Sequence, residues 1–159
     1  MLCNLNDVLR PARAGHYGVG LFNTITPEMT EAVFSAAEKL NAPVIMGTAE
    51  ILLPAASLQT VADMVLERAG NSSVPVVLHY DHGLTFEKCL EAMKKGFTSV
   101  MYDCSTASYE DNIRDVAEMV KIAHAMGVSV EGELGHVGDN EGSGKLEKPC
   151  DYYTDPDQA

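Results

Sequence analysis

The chain has 159 residues, of which 46% are hydrophobic, and its 23 acidic against 11 basic side chains give a formal charge of −12. This length suits one core, so a single domain over residues 1–159 is expected. The negative charge repels phosphate backbones and anionic bilayers, which argues against nucleic acid and membrane surfaces as partners.

The amino terminus is interrupted by polar residues where a secretory signal would be apolar, and no apolar stretch approaches the roughly 20 residues that cross a bilayer. A cytoplasmic location is therefore expected. The four cysteines, Cys3, Cys89, Cys104 and Cys150, stand far apart without C-x-x-C spacing. They predict neither a zinc knuckle nor a redox pair, and we interpret them as small, partly buried thiols.

In chain order, a short helix from about Leu5 to Arg13 is followed by alternating strand and helix patterns. The strand runs are short, rich in β-branched and aromatic residues and not strictly alternating, which is typical of parallel strands covered on both faces. Strands are predicted at 17–23, 42–48, 74–81, 98–103 and 127–134, and helices between them at 27–40, 57–70, 85–96 and 109–127.

Residues that begin and end helices support these boundaries. Thr26 precedes Pro27 at the first helix of the repeat, and Thr85 is a predicted N-cap. Glycines follow three of the helices, at Gly70, Gly96 and Gly127.

Repeated βα units leave two main architectures, an open doubly wound sheet or a closed (β/α)8 barrel. The first strand-to-helix turn, FNTITPEM, lacks the G-x-G-x-x-G of a dinucleotide fold. Polar residues also cluster at the carboxyl ends of the strands, where barrel enzymes assemble their sites. We therefore expect an α/β fold containing the first five strands and four helices of a TIM (β/α)8 barrel, preceded by a short helix.

Alternation along the strands indicates which polar residues share a face. Pairs two residues apart project the same way: His79 with Asp81, Met101 with Asp103, and Glu131 with Glu133. His82 turns inward only where the strand gives way to a loop, and Gly83 makes that break easy. Acids converging on one small volume repel one another unless a cation lies among them, so a divalent metal is expected.

The segments LHYDHG, GFTSVMYD, NI, VSVEGELG and YYTDP, with YGVGLFN and NAPVIMGTAE before them, stand in this order along the chain. Together they resemble the class II, zinc-dependent ketose-bisphosphate aldolases, which include fructose-bisphosphate and tagatose-bisphosphate aldolase. The similarity begins near Asn4 and covers essentially the whole chain.

The resemblance implies a lyase of carbohydrate metabolism, such as glycolysis. Its substrate would be a phosphorylated ketose, fructose or tagatose bisphosphate, cleaved to or formed from dihydroxyacetone phosphate and glyceraldehyde phosphate through a zinc-stabilised enediolate. A homo-oligomer, a dimer or larger, is also expected, since an open fifth strand leaves an unpaired sheet edge.

The resemblance further implies roles for individual residues. Asp81 moves the proton of the hydroxyl at which the carbon skeleton breaks, and His82 binds the catalytic zinc. Asp103 and Glu133 match positions that hold a second divalent metal or an alternative zinc location. Glu141 matches a mobile acid that moves the carbon-bound proton, in a glycine-rich loop that suits a lid.

Asn23 matches a residue near the bound substrate, whereas other positions depart from the family. Ala49 stands where many relatives have a serine that would contact the substrate phosphate. The loop GDNEG replaces G-G-Q-E-D, so the role of Glu141 depends on an ungapped alignment. DCSTAS replaces a common D-G-S-H-L-P. The choice of sugar therefore stays open.

Other polar residues have simpler interpretations. His79 is interpreted as a buried histidine, bonded to a neighbouring carboxylate, that supports the site, in preference to the alternative of a metal ligand. Glu131 is assigned the same supporting role, although an ion pair inside the barrel is an equal alternative. His16 and His124 are expected at the surface or in packing, and His136, beside the predicted lid, is undecided.

The chain ends near a fifth predicted helix, whereas a complete barrel takes around 250 residues. Strands six to eight, two further histidine ligands and the phosphate-binding loops are then expected to be missing. A non-catalytic half-barrel that self-associates is accordingly the main alternative to the aldolase. A barrel isomerase or epimerase with metal-stabilised enediolate chemistry is a third.

Overall fold

The computed structural model describes residues 1–135 and 154–159. Within these two ranges, six strands alternate with five α-helices and one 3₁₀ helix. The strands are β1 Leu2–Cys3, β2 Leu21–Asn23, β3 Val44–Ala49, β4 Val76–Gly83, β5 Ser99–Tyr102 and β6 Ser129–Glu131. The helices are α1 Leu5–Gly15, α2 Pro27–Leu40, α3 Leu58–Ala69, α4 Phe86–Lys94 and α5 Tyr109–Ala125, with the 3₁₀ helix at Glu50–Leu52.

Side-chain caps explain where the helices of the repeat begin. In each of them a Ser or Thr hydroxyl accepts a hydrogen bond from a backbone N–H of the first turn, which has no partner within the helix. These N-caps are Thr26, Ser57, Thr85 and Ser108. The predictions for Thr26 and Thr85 are confirmed.

The sheet is parallel and its strands follow one another in the order β2-β3-β4-β5-β6. Each consecutive pair is joined by a helix, which is the connectivity of a (β/α) barrel. The predicted fold class, the first five strands and four helices of such a barrel after a short amino-terminal helix, is confirmed.

The main core lies between the helices and one face of the sheet. Its largest fully buried side chains include Tyr80, Phe34, Phe97, Met46 and Leu78. The alternation of the strands then directs His79 and Asp81 to the opposite face, toward the barrel interior. The helices thus cover one side of β4 and leave its other side for polar residues.

The amino-terminal segment closes the other end of the interior. Leu5 and Val8 of α1 pack against Ile45 and Val77 near the beginnings of β3 and β4. The Leu5 N–H donates to Ser129 Oγ over 3.1 Å, which ties α1 to β6. Strand β1, which pairs with β4 through Leu2 and Val76, was not predicted from the sequence.

The bounds of all five predicted strands differ from the observed ones, and three strands differ most in what they imply for the site. β2 and β6 keep only three residues each, whereas β4 continues to Gly83 instead of ending at Asp81. Residues 156–158, in the region predicted to start a fifth helix of the repeat, form a turn. Among the helices of the described residues, none combines the length and apolar character needed to cross a membrane.

Candidate metal and catalytic site

A bulge at the end of β4 presents the polar residues of the site. The pairing of β4 with β5 shifts register between Tyr80 and Gly83. His82 lies in this shift with φ at 47°, a left-handed conformation that is uncommon outside glycine. The prediction that Gly83 breaks the strand is therefore wrong: the turn occurs at His82, and the strand resumes at Gly83.

Gly83 has a different reason to be glycine. A Cβ at this position would lie 2.6 Å from Cys89 Sγ, 2.8 Å from the Tyr80 ring and 2.9 Å from the Met101 carbonyl oxygen. These distances are far below van der Waals contact, so no other residue fits without displacing its neighbours. The missing side chain lets β4 lie close to α4 and β5 just beyond His82.

The bulge brings His82 against two acids from the next strands. His82 Nδ1 lies 2.8 Å from Asp103 Oδ2, at hydrogen-bond distance, and 3.6 Å from Glu133 Oε2. One potential ligand atom from each of the three residues falls within 4.8 Å of the others. The two carboxylates are largely buried, with 12% and 13% of their side chains exposed, whereas His82 is 45% exposed. The group therefore faces solvent through the imidazole.

Neighbouring polar groups hold both acids in place. Asp103 Oδ1 accepts from Ser105, over 3.0 Å from the backbone N–H and 2.6 Å from the hydroxyl. The buried Asn112 of α5 donates a hydrogen bond from its side-chain amide to the backbone carbonyl oxygen of Glu133 over 2.8 Å, which holds the main chain of that residue. Sequence reasoning missed Asn112, although an amide among the charged residues of EDNIRD could have indicated it.

The electrostatics of this group agree with its geometry. Burial lowers the pKa of His82, but the hydrogen bond to Asp103 and the nearby charges of Asp81 and Glu133 outweigh it and the pKa is raised. Burial acts to raise the pKa of Asp103, yet His82 and Ser105 bring it below its usual value. The ionised form of Asp103 and the protonated form of His82 thus favour each other.

Asp81 lies between two imidazoles. Its Oδ1 is 4.0 Å from His82 Nε2 and 3.7 Å from His79 Nε2. Burial acts to raise the pKa of Asp81, but the two histidines outweigh it and the pKa is lowered. Asp81 is therefore a carboxylate at neutral pH and can accept a proton.

His79 is completely buried beneath Asp81. Its Nδ1 lies 2.8 Å from Ser99 Oγ, and its Nε2 faces Asp81 and, at 3.6 Å, Glu131 Oε2. The expected hydrogen bond to a carboxylate is not formed, since both acids lie beyond hydrogen-bond distance and Ser99 is the partner instead. Glu131 is 48% exposed at the end of β6 and approaches His79 rather than His82.

Glu50, the first residue of the 3₁₀ helix after β3, secures the end of β4. Its Oε2 accepts from the Tyr80 hydroxyl over 2.8 Å and from the Leu84 N–H over 2.6 Å. These two bonds straddle His82 and fix the backbone on either side of the bulge. Sequence reasoning missed Glu50, because its partners only become neighbours once β3 and β4 pair.

Asn23 ends β2, and its buried Oδ1 has no hydrogen-bond partner among the described residues. Ala49, at the end of β3, is paired with Asp81 across the sheet. His16 and His124 are exposed, which agrees with the prediction for both. Glu141 and His136 lie outside the described residues.

Of the cysteines, Cys89 and Cys104 are buried, Cys3 is half-buried, and all three are free thiols. Cys150, like the predicted lid, lies outside the described residues. The interpretation of the described cysteines as packed thiols is confirmed.

The donor set fits a divalent metal. One imidazole nitrogen and two carboxylate oxygens are ligands that zinc accepts, and a cation would relieve the repulsion between the two acids. A parallel α/β half-barrel with such a group at the carboxyl ends of its strands defines a candidate metalloenzyme of the barrel class.

Comparisons with known proteins agree with this class. The family model described as class-II fructose-bisphosphate aldolase matches residues 3–159. A fructose-bisphosphate aldolase from Thermus caldophilus is 40% identical over 159 residues, which is all of this chain and 52% of the relative. One from Geobacillus stearothermophilus is 45% identical over 143 residues, covering 88% of this chain and 50% of the relative.

The fold is also similar to solved aldolase structures. The crystal structure of the YdjI aldolase from Escherichia coli K12 superposes with a TM-score of 0.88 at 34% identity, over 99% of this chain and 56% of that one. The chain belongs to the class-II fructose-bisphosphate aldolase family. It spans about half the length of the curated relatives that it matches.

Proposed function

We propose that this chain carries part of the catalytic machinery of a zinc-dependent aldolase, which cleaves or forms a phosphorylated ketose such as fructose or tagatose bisphosphate. The products of cleavage would be dihydroxyacetone phosphate and glyceraldehyde phosphate. The single observation that supports this most is the group of His82, Asp103 and Glu133 beside the carboxylate of Asp81, in a member of this family.

His82 would bind the catalytic zinc. Asp103 and Glu133 would hold either an alternative position of this zinc or a second divalent metal. When bound, the zinc supplies Lewis-acid polarisation of the substrate carbonyl and compensates negative charge that develops there. The bulge at His82 and the Ser105 and Asn112 contacts keep the three ligands pre-organised.

Asp81 would act as the general base of cleavage. Because its pKa is lowered, a carboxylate oxygen is free to accept the proton of the hydroxyl at the breaking carbon–carbon bond. In the direction of synthesis the protonated carboxyl returns that proton. Asn23 would orient the substrate through its unpaired side-chain oxygen, and Glu141 would move the carbon-bound proton.

The test is retro-aldol cleavage of both bisphosphates by the chain, with zinc, with EDTA and after zinc is restored. Asp81→Asn should retain zinc but lose cleavage by at least about 10²-fold, the usual cost of removing a general acid or base. Asp63→Asn, on the exposed face of α3, is the matched control. Near-normal cleavage by Asp81→Asn, or cleavage that survives chelation, would contradict the mechanism.

A non-catalytic half-barrel that self-associates is the second candidate, because β2 and α2 leave an apolar groove of about 370 Å³ open. Phe22, with 48% of its surface exposed, lines this groove. A homo-oligomer measured by light scattering together with no cleavage, in the presence of bound zinc, would favour this candidate over the aldolase.

A further inference from the structure

His79 is a fully buried ionisable side chain beside the site, and the proposed reaction gives it no role. It has no exposed surface, and Nε2 has no hydrogen-bond partner among the described residues. A buried imidazole N–H or lone pair left without a partner is costly, so its placement needs a reason. The surroundings of its two ring nitrogens supply one.

The two nitrogens of His79 face different kinds of group. On one side, Nδ1 lies 2.8 Å from the hydroxyl oxygen of Ser99, whose burial is also complete. On the other, Nε2 lies 3.7 Å from Asp81 Oδ1 and 3.6 Å from Glu131 Oε2. A hydroxyl can donate or accept, whereas an ionised carboxylate only accepts.

This asymmetry selects one tautomer of the neutral ring. With the hydrogen on Nε2, the positive end of the N–H dipole points toward the two acids, and Nδ1 accepts a hydrogen bond from the Ser99 hydroxyl. With the hydrogen on Nδ1, the Nε2 lone pair would point at the same two acids. The first arrangement is attractive and the second repulsive, and the complete burial of His79 limits screening of the difference by water.

We propose that Ser99 holds His79 in the Nε2–H tautomer, and that His79 thereby acts as a positioning residue for the Asp81 carboxylate. The Ser99 hydroxyl donates to Nδ1, and the Nε2–H is directed between Asp81 and Glu131. Asp81 is then fixed from below by His79 and flanked by His82 at 4.0 Å. The catalytic consequence rests on the proposed function of Asp81, whereas the tautomer does not.

Ser129 provides a matched control for Ser99. The two serines are paired across β5 and β6, both are buried, and both point to the barrel interior. Ser129 Oγ accepts from the Leu5 N–H, whereas the hydroxyl partner of His79 is Ser99. Loss of either hydroxyl removes one buried oxygen, but only loss of Ser99 should affect His79.

The experiment records nitrogen-15 spectra of the histidine-labelled, metal-free chain at pH 8, with the His79 resonances identified by their loss in His79→Gln. We expect a protonated Nε2 and an unprotonated Nδ1 in the wild type. In Ser99→Ala the single-tautomer pattern should be lost or the Nδ1 resonance should move, whereas Ser129→Ala should leave both nitrogens unchanged.

A second measurement tests the positioning of Asp81. The carbon-13 resonance of the labelled Asp81 carboxyl carbon should change its chemical shift in Ser99→Ala and keep it in Ser129→Ala. If Ser99→Ala does not fold, Ser99→Cys, which keeps a weak donor of similar size, takes its place.

A wild-type ring protonated at Nδ1 would overturn the tautomer. An Asp81 carboxyl chemical shift that is the same in the Ser99 variants as in the wild type would overturn the positioning role. Absence of aldolase turnover would refute the proposed function but would leave these spectra unchanged, so the two failures are distinguishable.

Discussion

Gly83→Ala tests whether the close approach of three elements at the end of β4 maintains the site. The added Cβ would meet Cys89 Sγ at 2.6 Å, the Tyr80 ring at 2.8 Å and the Met101 carbonyl oxygen at 2.9 Å. Two of the three neighbours are an aromatic ring in the core and the backbone of β5, which cannot move independently. We therefore expect the cost of an overpacked core, about 1–3 kcal/mol.

For a chain of this size, that cost lowers the melting temperature by roughly 2–4 °C per kcal/mol, or roughly 2–12 °C in all. Urea unfolding followed by circular dichroism should show a lower midpoint with an unchanged slope. Because Gly83 follows His82 directly, the displaced backbone should also weaken zinc binding.

Gly18→Ala is the control, since among the described residues no atom other than those of its chain neighbours lies within 4 Å of its added Cβ. It should change the free energy of unfolding by no more than about 0.5 kcal/mol. Combining Gly83→Ala with Cys89→Ala removes the nearest atom but leaves the Tyr80 ring and the Met101 carbonyl, so it should relieve only part of the clash. If Gly83→Ala is as stable as Gly18→Ala, the steric reasoning is refuted.

Three further predictions concern protons and hydrogen bonds. Because the pKa of His82 is raised, zinc must displace a proton from it in mildly acidic solution. Zinc affinity measured by calorimetry should therefore fall by about tenfold or more from pH 7.5 to 5.5. A constant affinity would exclude His82 as a ligand. Burial raises the pKa of Cys89 to about 12. This thiol should therefore resist iodoacetamide at pH 8 in the folded chain and react once urea unfolds it. Labelling of Cys89 in the native chain would contradict its burial. Tyr80→Phe removes the hydrogen bond to the Glu50 carboxylate. The free energy of unfolding, measured by urea titration, should fall by about 1.5–3 kcal/mol. An unchanged free energy would show that this bond adds no net stability.

Local rules were sufficient for the helices. Helix α2 was predicted at its observed bounds, because Thr26 and Pro27 define its start and the apolar spacing defines its face. Strand β2 was predicted too long, because a run of apolar residues does not show how much of it finds a partner. Its pairing with β3 covers only Leu21 to Asn23.

The site was predictable as a set of residues and not as a geometry. Strand alternation correctly placed His79 and Asp81 on one face, but the left-handed turn at His82 depends on the register between β4 and β5, which no local pattern encodes. The same reasoning could have indicated Ser99, since it lies two residues before Met101 and projects to the same face of β5. Its importance emerges only when its strand is placed beside His79.

The hydrogen bond between Leu5 and Ser129 joins residues 124 positions apart. During synthesis the first helix cannot complete this contact until the last described strand has left the ribosome. At about 5–20 residues per second, that delay is roughly 6–25 s. Until then Leu5 and Val8 lack the bond to Ser129 and depend on the apolar cluster that they form with Ile45 and Val77 once β3 and β4 have been made. We therefore expect the nascent chain to be most vulnerable to proteases and misassembly before its sixth strand is synthesised.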